Sequence, residues 1–161
     1  MALRFSVILL AICLLYQTRT SNGFYWKDCS AAHEPVTFKT ISFEPDPIKL
    51  PGSVSYKGSL YLSRSLSSVT AEVKLYKKAL FWWRIPCSSY FQCKFDICEL
   101  LNLDSSCSFS SGYFYYPKTW YNLPRISIPS FLLKGYYSAT IILKSYGNQV
   151  GCVNVYFNVD A

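Results

Sequence analysis

Glu44 and Asp46 stand two residues apart on an extended segment, so their side chains share a face, and such a carboxylate pair could serve as general acid and base. Pro45 and Pro47 alternate with them, and a rigid proline turn is the simpler account of that spacing. His33 is the single histidine, and it lies beside Glu34 and Pro35 in a polar stretch that suits an exposed loop. Metal sites and proton transfer near neutral pH draw on histidine more than on any other side chain, so one loop histidine argues against both. No G-x-S-x-G nucleophile elbow and no glycine-rich phosphate loop occurs in the sequence. Cys29, Cys87, Cys93, Cys98, Cys107 and Cys152 form an even set, with Cys13 apart near the start. The spacings 87/93 and 93/98 are not C-x-x-C and His33 is remote, so zinc is disfavoured and three disulfides are expected. Six cysteines pair in many ways, and spacing does not choose among them. The chemistry-bearing residues thus read as structural, in a non-enzyme without metal or cofactor.

The elements that must position these residues follow from charge and periodicity. Residues 1–20, with a boundary as late as 23, carry Arg4, an apolar run of 12 residues from Phe5 to Tyr16 and a small polar tail. That is the layout of a secretory signal peptide, and the run is shorter than the roughly 20 residues a spanning helix needs. Residues 24–161 suit a single domain. Across the 161 residues, 51% hydrophobic, 18% aromatic and 16% charged content excludes a disordered chain. Without Arg4 and Arg19, 14 basic residues face 9 acidic ones, a net charge of +5 with histidine neutral. The basic residues are scattered, so nucleic acid is not the expected partner. Val69, Ala71, Val73 and Leu75 alternate with polar neighbours, as do Tyr137, Ala139, Ile141 and Leu143, and Val153, Val155, Phe157 and Val159. This period of two marks strands with one buried face. Shorter runs at 36–43, 54–62 and 113–116 lie between Pro, Gly and Ser punctuation, which gives an all-β sandwich or barrel. Ile97, Leu100 and Leu101 fall at helical spacing, so a short helix or turn is expected near 95–103.

Two apolar stretches do not fit a simple core. Leu80-Phe81-Trp82-Trp83 lies between Lys77-Lys78 and Arg84, and adjacent strand residues face opposite ways, so Trp82 and Trp83 cannot both enter one core. The second stretch runs from Trp120 through Leu123 and on to Ile128, Phe131, Leu132 and Leu133, interrupted by Pro124 and Pro129, which argue against a regular central strand. With Lys78, Arg84, Lys118, Arg125 and Lys134 nearby, these stretches suit insertion at a lipid interface bearing anionic headgroups; the competing account is ordinary core with snorkelling lysines.

Phe24-Tyr25-Trp26-Lys27-Asp28-Cys29, the block Ser42 to Gly52 with its E-P-D-P-I, Trp83-Arg84-Ile85-Pro86-Cys87, Cys93 to Cys98, Tyr116-Pro117-Lys118, Ile128 to Tyr137 and Val150-Gly151-Cys152 resemble, in order, the ganglioside GM2 activator family of the lipid-recognition ML domain superfamily. The resemblance implies an immunoglobulin-like β-sandwich opened into a cup whose apolar cavity takes acyl chains. It implies the pairs Cys29–Cys152, Cys87–Cys93 and Cys98–Cys107. It assigns Leu80, Phe81, Trp82, Trp83, Ile128, Phe131, Leu132 and Leu133 to a rim that dips transiently into a membrane and gates the cup. The implied function is extraction of a glycolipid or phospholipid and its presentation to a soluble glycosidase such as a β-hexosaminidase, by a secreted or lysosomal monomer or weak dimer. The alternative is a secreted lipid-sensing module that holds a small apolar ligand and docks to a receptor. One departure stands out. The longer segment and further disulfide that vertebrate members carry between the positions of Cys98 and Cys107 are absent, which places any partner contact by that loop in doubt. No N-x-S/T sequon occurs either.

Overall fold

Alternating β-branched and aromatic residues favour a pleated surface with one face covered. The computed structural model describes residues 23–88, 91–101, 107–123, 125, 127 and 129–161. Its strands are β1 (Tyr25–Asp28), β2 (Val36–Glu44), β3 (Ile48–Lys49), β4 (Gly52–Leu62), β5 (Leu66–Ser67), β6 (Val69–Lys78), β7 (Trp82–Arg84), β8 (Lys94–Asp96), β9 (Ser108–Phe109), β10 (Gly112–Leu123), β11 (Gly135–Ser145) and β12 (Asn148–Asp160). Two single-turn helices, α1 (Ile97–Leu100) and α2 (Ser130–Leu133), complete it.

One sheet runs in the order β1-β12-β11-β6-β7, with β3 added beside β12 and β8 beside β6; it faces a three-stranded sheet, β10-β4-β2. Pairing within each sheet is antiparallel except at β3–β12. The result is an antiparallel β-sandwich, as the strand periodicity allows and the family resemblance implies. Register keeps the alternating sets together: Ala139 pairs with Val155 on one side and Leu75 on the other, so their side chains form one inward row.

Three single-residue bulges correct the faces that strict alternation would misassign. Lys39 is the extra residue in β2, which returns Ile41 to the inward face of Phe38. An extra residue in β10 between Tyr116 and Thr119 does the same for Tyr121, and Val150 is the extra residue in β12. β10 continues through Pro117 to Leu123, beyond the run at 113–116 read from the sequence. It is an edge strand with a bulge at the proline, so no partner strand loses a hydrogen bond there.

The sandwich is tightly packed at one end. Val36, Leu62, Leu66, Val69 and Val150 form a buried aliphatic cluster, with Ile97, Phe109 and Phe114 packed against it. The sheets come so close there that a β-carbon on Gly151 would lie 2.6 Å from that of Val36. Disulfides join Cys29 to Cys152, Cys87 to Cys93 and Cys98 to Cys107; the first spans 123 residues of sequence and ties the β1 end to β12. The helical expectation at 95–103 narrows to α1, because Phe95 and Asp96 belong to β8. The Asp96 carboxylate caps α1 by accepting from the Cys98 and Glu99 amides at 2.8 and 3.3 Å. Residues 102–106 lie outside the described residues.

Candidate functional site

The opposite end is built from the same strands and is not closed. Along β6, Val69 and Ala71 are buried, whereas Val73, Leu75 and Lys77 on the same face are only half-buried. In β2, burial likewise falls from Val36 to Phe38, Ile41 and Phe43, and in β4 from Leu62 to Leu60 and Tyr56. Large apolar side chains on an inward face are fully covered when a core is filled. Their partial exposure marks an interior less fully covered on these three strands, although Phe38, Ile41, Val73 and Leu75 pack against a second buried cluster of Ala139, Val153 and Val155, and Val54, Tyr137 and Val159 are buried too.

Around the opening stand the apolar residues singled out from the sequence. Leu80 is 98% exposed and Phe131 75%, and Phe81, Trp82, Trp83 and Leu132 are also exposed. Trp82 and Trp83 occupy β7, where register with β6 turns Trp83 to the face of Lys77 and Trp82 to that of Lys78. Trp83 stacks on Phe81 at 4.4 Å between ring centroids, while Trp82 lies against Tyr136 on the outer face. Two hydrogen bonds bring α2 to the same rim: Lys77 Nζ donates to the carbonyl of Leu132, and the Tyr137 hydroxyl donates to that of Leu133 at 2.6 Å. Leu133 is half-buried, and Ile128 lies outside the described residues.

Cations surround the rim unevenly. Lys118 and Lys134 are engaged by Glu44 and Asp160. Lys78 lies over the rings of Trp82 and Tyr136 at 5.9 Å from each, and Arg84 is exposed one residue beyond Trp83. The outer-face aromatics Tyr25, Tyr156, Tyr136 and Trp82 form a continuous row, beginning with Tyr25 stacked on Tyr156 at 4.3 Å. Alternation hints at this row only in β12, because its members come from four strands.

Inside the mouth, on the three-stranded sheet, is a polar group that the sequence did not reveal. The hydroxyls of Tyr56, Tyr116 and Tyr121 meet: Tyr56 donates toward Tyr116 at 3.4 Å and toward Tyr121 at 3.2 Å, and Tyr116 and Tyr121 are 2.9 Å apart. The rings stack nearly parallel, with Tyr56 at 4.9 Å from Tyr116 and 5.1 Å from Tyr121. Burial, reinforced by these bonds, raises the Tyr56 hydroxyl above its ordinary pKa. The bonds received from Tyr121 and Tyr56 lower that of Tyr116, and the bond with Tyr116 raises Tyr121. Tyr116 and Tyr121 are five apart, which strict alternation would place on opposite faces; the bulge between them is why they meet.

The carboxylates considered for acid–base work are not brought together as a pair. Glu44 holds Lys118, and Asp46 accepts from the Phe24 amide at 2.6 Å. His33 is exposed. No cluster of potential metal ligands occurs among the described residues. Two surface clefts of about 360 and 300 Å³ lie at the closed end, the first lined in part by Glu72, Phe95 and Lys144, the second by Leu66, Tyr146 and Val150. Neither includes a rim residue.

A two-sheet sandwich packed shut at one end and ringed by exposed aromatics at the other has the architecture of a cup. Its family follows from the whole chain. The ML domain family matches residues 23–159, and the chain belongs to it. It is similar to the ganglioside GM2 activator of Macaca fascicularis, with 29% identity over 175 aligned residues covering 92% of each chain. The ganglioside GM2 activator of Mus musculus is 27% identical over 155 residues, covering 83% of this chain and 80% of its own. Among solved structures, a Niemann-Pick type C2 protein from Japanese carpenter ant shares the fold, with a TM-score of 0.56 at 14% identity over 84% of this chain and 99% of that one. Both of these curated relatives are named as activators.

Proposed function

We propose that this chain takes a lipid out of a membrane by holding its hydrocarbon chains between the two sheets, and that it presents the headgroup to a soluble hydrolase. The observation that carries the reading is the rim of exposed Leu80, Phe81, Trp82, Trp83, Phe131 and Leu132 next to the half-buried inward side chains Phe43, Tyr56 and Leu75. Hydrocarbon leaves a bilayer readily only where other apolar surface replaces it, at about 25 cal/mol per Å². The half-buried inner faces supply that surface, and the rim lowers the barrier by entering the interface while Lys78 and Arg84 meet anionic headgroups.

A glycolipid or phospholipid is the proposed cargo, and the similarity to ganglioside GM2 activators supports a glycolipid and a glycosidase partner such as a β-hexosaminidase. Ile128 and the half-buried Leu133 are assigned to the same rim. Residues 1–20, or up to 23, are proposed as a cleaved signal, leaving one lipid-binding domain that is secreted or lysosomal; the three disulfides fit such an oxidising compartment.

The test is incubation of the purified protein with liposomes of mixed glycolipid and phospholipid, followed by native mass spectrometry of the soluble fraction. A one-to-one complex with lipids of mixed chain length is expected. Protein recovered empty from every lipid class would overturn the reading, and one defined ligand retained from the source would favour a sensing module.

A further inference from the structure

The outward positions of the larger sheet form a second surface, which the lipid cup does not use. Register sets them in rows across the strands. Lys27, Asn154, Thr140 and Lys74 make one row, and Tyr25, Tyr156, Ser138, Tyr76 and Arg84 make the next. Lys78 pairs with Trp82 one row further toward the mouth. No acidic residue occupies these positions. Lys27, Lys74, Lys78 and Arg84 therefore share one outward face, and among the described residues none of them has a carboxylate within ion-pair distance. The carboxylates that border the patch are already held, Glu72 by Lys144 at 2.6 Å and Asp160 by Lys134 at 2.8 Å. Gathered charge of one sign attracts an anionic partner.

Spacing separates most of this patch from the membrane rim. Lys74 lies four residues from Lys78 along β6, about 13 Å at strand geometry, and Lys27 lies three strands from Lys74, about 14 Å. Salt screens exposed charges beyond about 8 Å. Headgroups met by Lys78 at the rim thus leave Lys27 and Lys74 without counter-charges. The groups between the cations are hydrophilic: Thr140 donates to Asn154 at 2.7 Å in the middle of the first row. Tyr25 and Tyr156 stack at 4.3 Å with planes 7° apart, close to one strand spacing, so their ring faces cover each other and offer no flat apolar platform. A protein partner gains most from an apolar centre, which this surface lacks. A hydrated chain of fixed anions needs only spaced cations and hydrogen-bonding groups.

We infer that the outward face of β1, β12, β11 and β6 binds a sulfated polysaccharide. A chain lying along the first row meets Lys27 at one end and Lys74 at the other, with Asn154 and Thr140 between them. Arg84, at the end of the second row, adds a planar fork that suits a sulfate group. The site is separate from the cup: lipid is held between the sheets, whereas the sugar chain lies across the back of one of them.

The experiment is calorimetric titration of the purified protein with a heparin decasaccharide at about 0.1 M salt, where exposed charges are only partly screened. The sulfated chain is expected to bind, and the same chain after desulfation to bind at least about fivefold more weakly. Lys27→Gln with Lys74→Gln should weaken binding of the sulfated chain by about fivefold. Lys39→Gln with Lys57→Gln removes the same charge from the three-stranded sheet and should change binding by less than about twofold. Lys27 is exposed, so Lys27→Gln alone, expected to weaken binding by about twofold, serves if the pair does not fold. Association of the Lys27, Lys74 variant with vesicles containing phosphatidylserine should stay within about twofold of wild type. Equal losses in the two paired variants would reduce the binding to net charge and overturn the inference. Absence of binding in wild type, or equal binding of the desulfated chain, would overturn it as well. A matching loss of vesicle association would reassign the face to the membrane and also overturn it. Neither lysine belongs to the rim or to an inward face, so each of these results leaves the proposed cup standing.

Discussion

The two ends of the sandwich are made by the same six long strand segments, yet one is a solid and the other a container. At the closed end, small and β-branched residues let the sheets approach until Gly151 has no room for a side chain beside Val36. At the open end the inward positions include the larger Phe43, Tyr56, Tyr121 and Phe157, each only half-buried. Small side chains lie where burial is deepest, and large half-buried ones where the proposed lipid site opens. The same hydrophobic effect drives both; what differs is whether protein or ligand supplies the second apolar surface.

The largest effect should come from the closed end. Leu62→Ala removes a side chain that is 3% exposed and should cost about 2–5 kcal/mol in equilibrium denaturation, while Leu132→Ala, 51% exposed at the rim, should change stability by no more than about 0.5 kcal/mol. Similar costs at the two positions would break the contrast. Replacing Trp82 and Trp83 together by Ala should reverse the order of effects, lowering liposome association by about tenfold or more with little change in the melting temperature. Equal losses of association and stability would return the two tryptophans to a core role.

The smallest effects should separate the ends by pH. At the open end, burial raises Tyr56 and Tyr137 above the ordinary value of 10.0, so the folded protein keeps protons that the unfolded chain loses. Their contribution is complete below about pH 10 and is lost as pH rises beyond it, and Tyr56→Phe should flatten that alkaline limb. On the outer face of the closed half, Lys144 donates to Glu72 at 2.6 Å and holds its carboxyl below the usual 4.5. That contribution is present above pH 4.5 and fades as pH falls through the lowered value. Glu72→Gln should flatten the acid limb by less than about 1 kcal/mol, since both side chains keep contact with water. Denaturant midpoints measured across pH for the two variants check both signs.

Much of this division was legible in advance. The alternation at 69–75, 137–143 and 153–159 falls in β6, β11 and β12 with the expected faces inward, because a half-buried strand imposes its period directly on the sequence. That Trp82 and Trp83 do not share one core could be read from the divergence of neighbouring strand residues, but the exposure of both could not. The Glu44/Asp46 pair misleads on the same rule: sharing a face says nothing about Lys118 or the Phe24 amide, which engage the two carboxylates separately. The tyrosine cluster could not be found by alternation at all.

By itself, then, the sequence determined an all-β chain, an apolar leader-like segment, an even set of cysteines beyond it and two apolar stretches unsuited to a core. These follow from composition and from interactions between near neighbours. Tertiary structure decided which cysteines meet, where the sheets touch and where they part, and which tyrosines share a face. Each of these depends on a partner strand distant in sequence, and a bulge that shifts one residue from face to face takes its position from that pairing.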